Sequence, residues 1–79
     1  MKAGRAYDLI VTRSGRAPAW LAGRERIDHV EVVAIDSGEV VLFWDLPAPQ
    51  ASRLARALRE DLGRLEAQQF LEAWRAAGD

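Results

Sequence analysis

Apolar positions along the chain fall into three short runs followed by two helical stripes. Tyr7 to Val11 is β-branched and aromatic, with the length of a single strand. Ile27 to Ile35 and Glu39 to Leu46 are richer still in valine, isoleucine and aromatics, and Asp36-Ser37-Gly38 separates them. A three-residue loop ending in glycine suits a type I turn closed by a left-handed residue, which predicts a hairpin. Pairing Ile35 with Glu39 then places Val33 opposite Val41, Glu31 opposite Phe43 and His29 opposite Asp45. The other face carries Ala34 with Val40, Val32 with Leu42 and Val30 with Trp44, and is apolar throughout. A two-residue loop would set Glu31 against Trp44, because a slip of one residue turns every side chain to the wrong face.

The pattern changes period after the hairpin. Pro47-Ala48-Pro49 can open a helix, since the first turn has N–H groups without intrahelical acceptors and proline lacks that donor. Leu54, Leu58, Leu62 and Leu65 form one helical stripe. Ala67, Phe70, Leu71 and Trp74 form a second, displaced roughly 170° around an ideal helix. Gly63 favours a break between Gly63 and Glu66, and Gly78 favours a stop. The segment from Gly15 to Arg26 is a long connection with room for one helical turn at Pro18–Ala22. Its apolar knot, Trp20-Leu21, is expected to pin it to the body. The expected fold is α+β, one domain over 1–79. A small antiparallel sheet is covered on one face by a C-terminal helix or helix pair, in the order β-β-β-α-α.

Length and composition narrow the stabilising devices. The chain has 79 residues, and a domain of this size buries only about 60–65% of its unfolded surface. With no cysteine and a single histidine, disulfides, thiolate ligands and an imidazole zinc cluster are excluded, which leaves self-association. Nothing resembles a signal peptide, and no run approaches the roughly 18–20 apolar residues of a membrane span. A cytoplasmic protein with no membrane contact is expected.

Charge adds one asymmetry. The net charge is −1, yet the basic residues of 1–26 face an all-acidic set in 27–52. Arg13, Arg16, Arg24 and Arg26, with Arg5, are candidate phosphate contacts for a small nucleic-acid-binding regulator, while the overall charge argues against that use. The abundance of arginine and alanine also fits a GC-rich coding sequence.

Candidate chemistry is sparse. His29 opposite Asp45 is half of a general-base arrangement without an evident nucleophile, and reads equally as a cross-strand ion pair. Asp28, Glu31, Asp36, Glu39 and Asp45 match no calcium loop, and the glycines form no phosphate loop. No metal, cofactor or catalytic residue is assigned. The outer hairpin face is more informative: Val33, Val41 and Phe43 inside a charged rim have the anatomy of a protein interface, the alternative being that the connection carrying Trp20 and Leu21 folds over them. Phe70 and Trp74, with Leu71, form a second candidate surface, for which ordinary core packing is the favoured alternative. The leading expectation is a non-enzymatic, bacterial-type interaction or regulatory module that binds a second copy of itself, or another protein.

Overall fold

A computed structural model describes residues 1–13 and 27–78. The expected connection from Gly15 to Arg26, with Trp20 and Leu21, lies outside the described residues, as do Arg16, Arg24 and Arg26. The described chain forms α1 (Ala3–Ala6), β1 (Tyr7–Arg13), β2 (Ile27–Ala34), β3 (Val40–Pro47), α2 (Ala48–Arg64) and α3 (Ala67–Gly78). The three strands make one antiparallel sheet in the order β1-β2-β3, so among the described residues β2 is central and its neighbours are edges. The β-β-β-α-α order therefore stands, preceded by one short helix that hydrophobic periodicity over so few residues does not reveal.

Strand alternation divides the sheet into two faces. Val30, Val32 and Leu42 point to the helices and join Ala51, Leu58, Leu62 and Phe70 in the core. On α2, Ala51, Ala55, Leu58 and Leu62 are buried at helical spacing, with Leu54 and Leu65 half-buried beside them. The helix begins as the prolines imply, with Pro47 at its N-cap and Pro49 in the first turn.

The hairpin pairs as expected from Ile27 to Val32: His29 faces Asp45, Glu31 faces Phe43 and Val32 faces Leu42. Nearer the turn the expectation is corrected. Ala34 N–H donates to the Glu39 carbonyl at 2.8 Å, and Gly38 N–H donates to the Ala34 carbonyl at 2.8 Å. The loop thus holds Ile35 to Gly38, one residue more than expected, with Gly38 in the left-handed region at φ 75°. Val33 now faces Val40, and Val41 is the extra residue of a bulge that restores the register at Leu42. Ile35 leaves the strand pair because its N–H donates instead to the Ala6 carbonyl, at 2.9 Å.

The helical region breaks at Leu65–Glu66, within the expected interval but not at Gly63, which remains helical. The N-terminus holds the break open. Leu65 is extended at φ −92° and ψ 155°, and its carbonyl accepts from Ala3 N–H at 3.0 Å. Lys2 and Glu66 form an antiparallel bridge, while Ala67 N–H donates to the Met1 carbonyl at 2.9 Å. Gln69 Oε1 accepts from Glu66 N–H at 3.2 Å, one half of a capping box that restarts the helix. Gly4 eases this docking, since a Cβ there would lie 3.2 Å from the Leu62 carbonyl oxygen, a tight contact.

Candidate interaction surfaces

The sheet face turned away from the helices is a grid of three cross-strand rows. Asp8, Val33 and Val40 form the row nearest the turn. Ile10, Glu31 and Phe43 form the middle one, and Thr12, His29 and Asp45 the third. Ile10, Val40 and Phe43 are 42%, 45% and 52% exposed, and Val33 is half-buried between them. Large apolar side chains thus lie on all three strands of a solvent-facing surface, with Asp8, Glu31 and Asp45 as its carboxylates. His29 organises one corner. Its Nδ1 is hydrogen-bonded to Asp45 Oδ1, and its ring stacks on Phe43 with centroids 5.9 Å apart.

Three of the five expected interface residues change place. The bulge turns Val41 toward the helices, where it packs against the core, and Val40 takes its position outside. Phe70 is fully buried, stacked on Tyr7 at 5.8 Å and tilted against Trp74 at 6.3 Å. Trp74 is half-buried and edge-on to Trp44 at 6.0 Å, with its Nε1–H donating to Asp61 Oδ2 at 3.1 Å. The second stripe is therefore core: after the break at Leu65, α3 turns its aromatic side onto the sheet. Val33 and Phe43 remain on the outer face. Ile10 was missed, although alternation with the inward Leu9 and Val11 places it there.

Register also sets Thr12 beside His29, completing a Thr-His-Asp row. Among the described residues no hydrogen bond joins Thr12 to His29, so the row lacks the nucleophile–base contact that acyl transfer starts from. No group of three or more His, Asp or Glu among the described residues could hold a metal ion. Among them, too, no helix is long and apolar enough to cross a membrane.

A second surface lies on the helix side, at the far end of the sheet from the hairpin turn. Arg13, the last residue of β1, borders a cleft of about 430 Å³ together with Ser52, Arg56 and Arg59 of α2. Asp28, paired in register with Arg13, lies at its edge and is 2% exposed. Of the four arginines expected to act together, Arg13 alone is among the described residues. The arginines that join it come from α2, 43 and 46 positions away in the chain, and no local pattern connects them.

No protein-family model matches the chain, and no curated protein or solved structure matches it at a significant level.

Proposed function

We propose that this protein is a non-enzymatic interaction module that self-associates weakly and reversibly through its outer sheet face. The observation carrying this reading is the cluster of Ile10, Val40 and Phe43, each at least two-fifths exposed, around Val33. Exposed apolar side chains that are contiguous across strands, and rimmed by charge, are characteristic of docking surfaces.

The size of the face sets the strength of association. Three strands about 4.8 Å apart and rows about 6.8 Å apart give a grid of roughly 300 Å². Two such faces bury on the order of 600 Å², below the roughly 1,200 Å² of a stable specific interface. The dimer is accordingly weak and transient. Its charge makes a second mark. Asp8, Glu31 and Asp45 put carboxylates on both facing surfaces, so added salt should screen the repulsion between two such faces and strengthen the dimer. A complex with a basic partner would respond with the opposite sign.

Sedimentation equilibrium over a wide concentration range, at low and high salt, tests this. A dimer that tightens with salt and is lost in Phe43→Asp supports the proposal. A chain that stays monomeric throughout, or a dimer indifferent to Phe43→Asp, overturns it.

A further inference from the structure

We infer that the cleft between the end of β1 and α2 binds a phosphate group carried by a small molecule. Three guanidiniums, those of Arg13, Arg56 and Arg59, line one concavity. Each belongs to an exposed residue, and among the described residues none of the three takes part in an ion pair or hydrogen bond. This differs from Arg64 on the same helix, which is paired to Asp61 at 2.7 Å. Among the described lining residues the one carboxylate is that of Asp28, which is buried and already engaged in an interaction of its own. Within that described lining, three guanidiniums stand against one buried and already engaged carboxylate, an excess of positive charge that suits the dianion of a phosphomonoester near neutral pH.

Local structure explains why the groups converge. Arg56 and Arg59 are three residues apart on α2 and so share a face, and Ser52 lies one turn before Arg56 on the same side. Arg13 shares the helix-facing side of β1 with Leu9 and Val11, by the two-residue alternation of a strand. Arginine forks bind phosphate oxygens bidentately, and the Ser52 hydroxyl can donate one further hydrogen bond. Val11 and Ala55 give the cleft an apolar wall, and its volume lies in the range of small-molecule sites. The size favours a nucleotide-sized ligand. Among the described residues the arginines form one compact cluster and not the long basic stripe that a nucleic-acid backbone calls for.

Titration of the full chain with adenosine 5′-monophosphate, followed by arginine Nε–H and backbone amide NMR shifts, tests the inference, with adenosine, inorganic phosphate and sodium chloride as parallel titrants. The expected result is saturable shifts at Arg13, Ser52, Arg56 and Arg59 with the monophosphate at millimolar concentration or below, and none there with adenosine or chloride. Equal shifts with inorganic phosphate identify the free ion as a sufficient ligand and support the site. The Arg56→Gln/Arg59→Gln variant should bind at least tenfold more weakly, about 1.4 kcal/mol. Arg53→Gln, an exposed charge loss on α2 outside the lining, should stay within twofold. No saturable shift with either phosphate overturns the inference. So does equal weakening by Arg53→Gln, or affinity for single-stranded oligonucleotides that grows with length and spreads beyond the cleft.

Discussion

Phe70 and Phe43 are both aromatic, yet truncating each to alanine should act on different properties, folding stability for Phe70 and self-association for Phe43. Phe70 is fully buried between Tyr7 and Trp74, so Phe70→Ala removes a complete ring and leaves a cavity where α3 meets the sheet. Such changes cost about 3–5 kcal/mol. A chain of 79 residues has a total stability of roughly 4–12 kcal/mol at typical per-residue values. The variant should therefore lose a large share of its stability, and its Tm should fall by at least about 12 °C. Phe43 is 52% exposed, so removing it forfeits only part of the roughly 1.5–3 kcal/mol of a fully buried side chain. Phe43→Ala should cost less than about 1.5 kcal/mol of monomer stability, while weakening self-association. Urea unfolding followed by far-UV circular dichroism, at one low protein concentration, separates the two effects. If Phe70→Ala unfolds within about 1 kcal/mol of the parent, α3 does not seat its aromatic side in the core, and the docking of the C-terminal helix described above is wrong.

Three further perturbations probe the local structure. Gly63→Ala should stabilise the chain by about 0.5–1 kcal/mol in the same unfolding assay, because Gly63 is helical and a Cβ there meets nothing within 4 Å. Gly38→Ala should destabilise by about 1–2 kcal/mol although its surroundings are equally open, since φ 75° strains any residue with a Cβ. Glu66 is held below the ordinary carboxylate range by the hydrogen bond from the Met1 ammonium at 2.8 Å and by that group's charge, with Lys2 adding to the effect. Its contribution is therefore present above the ordinary value of 4.5 and is lost as pH falls through the lower folded value. An NMR pH titration should show Glu66 protonating below its usual range, and acetylation of the Met1 amine should return it toward 4.5.

Alternation and turn chemistry were enough to place the hairpin, and the register from Val30–Trp44 to Val32–Leu42 follows from the need for one wholly apolar face. The leucine stripe of α2 was legible for the same reason, as was a change of direction before Ala67. The four-residue loop was not, because Ile35 is drawn out of β2 by a hydrogen bond to Ala6, twenty-nine positions earlier. That contact moves the turn by one residue, and the bulge at Val41 absorbs the shift. Phe70 and Trp74 carried the right signal, an apolar stripe, but a stripe does not say what covers it. Only the docking of Met1 to Ala3 into the gap between α2 and α3 fixes where the helix breaks and so which way α3 points. The arginine cleft is tertiary in the same sense. Arg56 and Arg59 share a face of α2 by helical spacing, and only the packing of α2 across the sheet brings Arg13 to meet them. Periodicity acts over a few residues and determines which face of an element is apolar. Partners distant in the chain, with their hydrogen bonds and steric limits, decide what each face meets.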